Sequence, residues 1–191
     1  LATELHSSRH AEIGEVVPPL RNGDRLSQAE FLRRYNAMPH VQHAELVEGR
    51  VYMPSPVSAE LHGEPHFDFN GWLFVYRAMT PGVLGGDNST LKLDLGNAPQ
   101  PDGYLRITEQ AGGQSHLVEG FLEGAPELIV EVTASSVSYD LHEKRAAYCR
   151  HGVQEYIVWR TEDRQIDWFY RASDQFERLP LGADRIYRSR S

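Results

Sequence analysis

The chain has 191 residues, of which 40% are hydrophobic and 24% charged, the length and composition of one soluble globular domain. Its longest apolar run, Trp72 to Met79, contains Arg77 and falls well short of the ~20 residues a membrane helix needs. Lys plus Arg number 19 against 27 Asp plus Glu, a net charge of −8. That excludes a global attraction for nucleic acid and leaves a local basic patch, or acids that hold a metal, as the ways to meet a phosphate.

The opening LATELHSSRH lacks the basic, apolar and small-residue order of a secretory signal. Cys149 is the only cysteine, which excludes an internal disulfide and fits a reducing, cytoplasmic location. Lys92 and Lys144 are the only lysines, so the position of each is informative.

In chain order, residues 1–25 read as an extended leader and residues 26–191 as a single domain. Ser27 and Glu30 form a capping-box pattern ahead of Phe31, Leu32 and Tyr35. The first helix ends before Met38-Pro39. In HAELVEGRVYMPSP, two short apolar runs flank Glu48-Gly49 and predict a hairpin. A second helix is expected over residues 58–79, carrying Leu61, Phe69, Trp72, Leu73 and Tyr76, and Pro81-Gly82 stops it. Its tryptophan, like Trp159 and Trp168, is expected in the core. VLGGDNST, LKLDL and PDGYLRI read as strands, and residues 108–119 as an exposed loop. ELIVEVT, residues 127–133, is the clearest strand. Ser135, Ser136 and Ser138 offer caps for a third helix, YDLHEKRAAYCRHG, which closes at Gly152. EYIVWR, IDWFY and QFERL complete the sheet. The order predicts an α+β fold, a mixed central β-sheet with helices packed on it.

Three residues carry the chemistry. Alternation along the strand places Glu131 with Ile129, opposite Leu128, Val130 and Val132. A carboxylate so flanked needs a partner or a cation. Asp102 opens a strand directly after Pro101 and can point toward a neighbouring strand. Lys144 shares a helical stripe with Leu141 and Tyr148, so its ammonium lies on or beside the buried face and needs an anion. A short loop joins the Glu131 strand to that helix, and a crossover folds the helix back over the sheet. An Asp, a Glu and a Lys therefore converge. Two carboxylates on adjacent strands suit a hard divalent cation such as Mg²⁺. Such an ion polarises a phosphoryl oxygen and acidifies bound water, and the lysine orients that water.

PDGYLRI, PELIVEVTASS and DLHEKRAAYCRHGVQEYIVW together resemble the PD-(D/E)XK restriction-endonuclease-like superfamily, and more narrowly the bacterial Uma-two family. The resemblance runs from about Ala44 to Trp168. The family's hairpin pattern matches Glu45-Leu46 and Gly49, and its helical His matches His62. The acidic pair falls on Asp102 and Glu131, and the lysine on Lys144, followed by Tyr148, Gly152 and Glu155-Tyr156. The resemblance implies a restriction-endonuclease-like fold and a Mg²⁺- or Mn²⁺-dependent endonuclease acting on DNA. Asp102, Glu131 and the backbone carbonyl of Val132 then bind the metal, Lys144 orients the water, and Glu45 and His62 are accessories. Thr133 stands where the superfamily's simplest motif has its lysine, so the resemblance implies a lysine that has migrated to the helix.

Other signals are weaker. His62, Glu64 and His66 do not make a zinc-protease motif, because no Glu follows the first His directly. Glu127 lies too far along its strand to share a metal with Glu131. Cys149 reads as a small buried thiol. Two rival readings stand beside the nuclease: a catalytically silent domain of the same fold serving as a nucleic-acid or protein interaction module, and a small-molecule-binding domain with Glu131 as a structural acid. Cutting two strands suits a homodimer.

Overall fold

Ser27 starts the first helix, α1 (Gln28–Asn36): its hydroxyl accepts the Glu30 amide at 3.3 Å. The reciprocal half of the expected capping box is not made, because Arg33 and Arg34 hold the Glu30 carboxylate at 2.7 and 2.6 Å. The structure, a computed structural model, describes residues 16–54, 56–134 and 139–190. The expected caps Ser135, Ser136 and Ser138 and most of the expected leader lie outside these residues, as does the side chain of Leu141.

Phe31 of α1 is fully buried with Leu20, Leu46, Val51 and Ala98. Leu46 and Val51 belong to the expected hairpin, β1 (Glu45–Val47) and β2 (Arg50–Tyr52). Its turn residues Glu48 and Gly49 have φ of 50° and 72°, the left-handed pair that a two-residue hairpin turn demands.

The expected second helix arrives in two pieces. A π-type turn, Ala59–Gly63, is capped by Ser58, and α2 (Glu64–Met79) follows with Pro65 in its first turn. α2 buries Phe69 and Leu73 only. Trp72 and Tyr76 are exposed, so Trp72 is not the core residue expected.

β3 (Val83–Gly86), β4 (Leu91–Lys92) and β5 (Gly103–Ile107) follow. The expected loop over residues 108–119 instead contains β6 (His116–Val118), which pairs with β7 (Phe121–Glu123). His116 and Leu117 are both exposed, so β6 carries no alternating pattern that would reveal a strand. β8 (Leu128–Thr133), α3 (Tyr139–Arg150), β9 (Glu155–Arg160), β10 (Gln165–Ala172) and β11 (Gln175–Arg178) complete the chain. Gly152, at φ 92°, ends the α3 turn in the left-handed conformation that favours glycine.

The main sheet has the order β11-β10-β9-β8-β5-β3, and β4-β7-β6 form a second, smaller one. Within the main sheet only β8 and β9 run parallel, with α3 as their crossover. α2 covers one face, where Phe69 and Leu73 meet Leu105, Leu128, Val130 and Ile157. On the other face Tyr148 of α3 packs with Ile129, Tyr156, Val158 and the small sheet's Leu91 and Leu122. Each such large apolar side chain contributes about 1.5–3 kcal/mol on full burial. Alternation along β8 thus sends Leu128 and Val130 toward α2, and Ile129 and Glu131 toward α3. Among the described residues, no helix is long and apolar enough to cross a membrane.

Candidate active site

Glu131 enters the site because it occupies a core position on a strand buried on both faces. Two residues of α3, four apart and so on one stripe, supply what burial demands. Lys144 Nζ lies 3.2 Å from Glu131 Oε1, and the Tyr148 hydroxyl donates to the same oxygen at 2.9 Å. Glu131 Oε2 takes no hydrogen bond among the described residues. Lys144 also reaches Glu45 Oε1 at 2.8 Å, and that oxygen accepts the Gln100 amide at 2.7 Å. The β1–β2 hairpin therefore delivers a second carboxylate to the ammonium.

Asp102 closes the cluster from β5. Gly103 pairs with Val130 in the antiparallel register, so one step further Asp102 comes opposite Glu131. Its Oδ2 accepts the Val132 amide at 2.6 Å, continuing the ladder with a side chain. Helix α2 fixes it from behind: His66 Nε2 and Asn70 Nδ2 donate to the Asp102 carbonyl at 2.8 and 3.1 Å. His62, on the π-type turn, stacks on His66 with 5.6 Å between centroids. Its Nδ1 lies 3.0 Å from the Val132 carbonyl, and its Nε2 3.5 Å from Asp102 Oδ1. A carbonyl can only accept, so the partner assigns a proton to Nδ1 and leaves Nε2 as the basic nitrogen of the neutral ring. The Val132 carbonyl, expected to face a metal, thus already has a partner.

The structure brings Asp102, Glu131 and Lys144 together, with Glu45 and His62 at their side. Tyr148, His66 and Asn70 were missed as polar contributors. The signal for the last two was the stripe His62, His66, Asn70, spaced i, i+4, i+8 from the π-type turn into α2. Glu127 stays outside, its carboxylate accepting the Ile107 and Gln114 amides at 2.7 and 3.3 Å. The other buried acid, Glu155, holds the Trp168 indole at 2.6 Å and the Arg190 amide at 2.6 Å, and is structural. Cys149 is a buried free thiol, as expected.

Three carboxylates and one ammonium would leave two uncompensated negative charges if all were ionised, and the cluster avoids that by keeping a proton on Glu131. Burial pushes the Glu131 carboxyl up to about 8; Lys144 pulls it down, while Asp102 and Glu45 raise it further. Burial also disfavours the Lys144 ammonium, yet Glu131 and then Glu45 outweigh that and raise its pKa above the ordinary value. Lys144 is therefore a cation throughout the neutral range. Burial, and then Glu131, likewise hold the Tyr148 hydroxyl well above its usual value, so it stays a donor.

A raised carboxyl pKa has a definite sign for stability. The folded protein keeps a proton on Glu131 where the unfolded chain has lost it. This contribution is full below the ordinary carboxyl value of 4.5 and is lost as pH rises through about 8. With divalent ions chelated, the urea midpoint is expected to fall between pH 5 and 8 by an amount worth a few kcal/mol. Glu131→Gln, which keeps an acceptor and cannot ionise, should flatten that slope. A wild-type midpoint independent of pH would contradict the assignment.

Among the described residues, no three His, Cys, Asp or Glu side chains form a ready-made metal cage, and the ammonium stands between Glu45 and Glu131. The remaining set, two carboxylates on facing strands with one unbonded oxygen on Glu131, fits a hard ion that completes its shell with water and substrate oxygens. The Asp102 and His62 side chains, 14% and 23% exposed, form the open edge of the cluster, and those of Glu131 and Lys144, 8% and 10% exposed, its floor.

The Uma2 family model, described as "Putative restriction endonuclease", matches residues 28–187. A solved structure described as a "putative nuclease belonging to DUF820 from Anabaena variabilis ATCC 29413" superposes with a TM-score of 0.55 at 15% identity. The match covers 83% of this chain and 93% of that one, and at this identity it is a likeness of fold. No curated protein matches the chain significantly.

Proposed function

Since the chain belongs to the Uma2 family, we propose that it is a metal-dependent endonuclease that hydrolyses DNA phosphodiester bonds. The observation that carries this reading is the make-up of the cluster: three carboxylates gathered around one ammonium, with Asp102 and Glu131 on adjacent strands, which would carry two surplus negative charges once Glu131 ionises. A divalent cation of the Mg²⁺ or Mn²⁺ kind balances that charge, and oxygen-only donors suit it better than zinc. Asp102 and Glu131 would hold it, and when bound it supplies charge neutralisation at a phosphoryl oxygen and an acidified water.

The chain's own residues do the rest. Lys144 keeps its proton, so it orients the attacking water and faces the charge that develops on the phosphoryl oxygens, without acting as the base. His62 Nε2 takes the proton from that water, with Asp102 Oδ1 3.5 Å away facing the charge that forms. His66 and Asn70 hold the Asp102 backbone, and Tyr148 holds the Glu131 carboxylate; these are positioning residues. Glu45 anchors Lys144 from the hairpin side.

The test is a cleavage assay on supercoiled plasmid and on single-stranded DNA, with Mg²⁺, with Mn²⁺ and with chelator. Nicked or linear product with either ion, and none with chelator, is the expected result. Intact DNA under all conditions, from protein shown to bind the ion, would favour the silent interaction module.

A further inference from the structure

Helix α2 carries large apolar side chains on its exposed side as well as on its buried one. Phe69 and Leu73 face the sheet, and Phe67, Trp72, Phe74, Val75, Tyr76 and Met79 are exposed. A helix of that kind is normally buried on more than one side. Gly71 sits in the middle of the exposed side, where a glycine weakens a helix. Nothing among the described residues calls for it: a Cβ built there would meet none of their atoms within 4 Å.

Phe67, Gly71, Phe74 and Ala78 lie on one exposed stripe, at spacings of four, three and four. The row reads large, small, large, small. Read backwards it has the same spacings with large and small exchanged. Positions 67 and 78 share their midpoint with positions 71 and 74. A two-fold axis through that midpoint therefore lays Phe74 of one copy over Gly71 of the other, and Phe67 over Ala78. Each ring, 62% and 78% exposed in the single chain, finds a gap of matching place. A two-fold interface must be self-complementary in this way.

We propose that α2 is a homodimer interface, packed antiparallel on α2 of a second copy along the stripe Phe67–Gly71–Phe74–Ala78. At ~150–250 Å² for a fully buried aromatic side chain, the exposed parts of Phe67 and Phe74 supply about 200–350 Å² of the ~800 Å² that a stable interface takes from each partner, and the side chains flanking the stripe, Val75 first, supply more. Nucleic acid is a poor occupant of this face, because Glu64 and Asp68 flank its first turns and repel phosphate. The proposal rests on no part of the nuclease reading.

Sedimentation velocity and light scattering on the whole chain over about 1–100 μM, the range of ordinary protein association, test it. The wild type is expected to dimerise. Phe74→Lys and Gly71→Leu each add bulk or charge to a solvent-facing position, so the fold, followed by circular dichroism, is retained. Each should weaken dimerisation by at least about tenfold, as loss of a central contact does. Gly71→Ala should raise the thermal midpoint of the dilute monomer, because alanine is the better helix former, and still weaken the dimer. A wild type that stays monomeric at 100 μM would overturn the proposal. So would a dimer indifferent to Phe74→Lys and Gly71→Leu.

Discussion

Glu131→Ala is expected to bring divalent-dependent cleavage down to background, a loss of roughly 10³-fold or more for a group that organises the charge at the reacting phosphate. The fold should survive. Lys144 keeps Glu45 at 2.8 Å as its counter-ion, and removing one carboxylate relieves like-charge repulsion in the cluster. Against this, the buried Tyr148 hydroxyl loses its acceptor, which costs about 1–3 kcal/mol. Glu131→Gln restores an acceptor for Tyr148 and should recover that stability without recovering cleavage. Plasmid cleavage and urea denaturation, measured on both variants, separate the two effects. Wild-type turnover in Glu131→Ala would remove the residue from the chemistry.

Lys144→Met should separate binding from turnover in the opposite way. Methionine keeps most of the stem volume and loses the ammonium. The ionised Glu45 and Asp102 then lie beside protonated Glu131 without a cation, and breaking such a buried pair costs about 3–5 kcal/mol. With ions chelated at neutral pH, the variant should therefore be markedly less stable. Adding Mn²⁺ should restore it, and raising the pH so that Glu131 loses its proton should weaken it further. Turnover should remain at least about 10²-fold down even with the ion bound, the usual loss for a positioned proton-handling or charge-stabilising group. Unchanged turnover would show that Lys144 serves the fold alone.

Much of this arrangement is legible in the chain itself. ELIVEVT is apolar at successive positions, so a strand buried on both faces follows, and with it an acid that must find a partner. Gly152 and Glu48-Gly49 mark a helix end and a hairpin turn because their backbones need the left-handed region. Lys144 stands out by its rarity and its place on the helix. The failures have physical reasons too. A helix with large apolar side chains on both sides carries no sign of which face is inward, so Trp72 was assigned to the core. β6 shows no alternation, because two consecutive side chains lie in solvent. Tyr148 reads as a core aromatic, and its hydroxyl matters only once Glu131 is known to sit across from it. His66 and Asn70 act through a backbone carbonyl, so the spacing of these two polar residues with His62 is the trace they leave, and it does not say what they hold. Glu45 reaches the site through the tertiary placement of a hairpin, and only the family resemblance pointed to it.

The central claim is that the buried acids form a site for a divalent ion, and calorimetric titration of the wild type with Mn²⁺ tests it most directly. At pH 6.5 Glu131 carries a proton, since burial raises its pKa to about 8, and a carboxylate must lose that proton to bind an ion. Titrations in two buffers of different ionisation enthalpy should therefore show saturable binding with release of close to one proton at pH 6.5 and far less at pH 8.5. Glu131→Gln should bind much more weakly and release none. Equal binding by wild type and Glu131→Gln, or no binding by the wild type at millimolar Mn²⁺, a range in which even weak oxygen-ligand sites fill, would contradict the account.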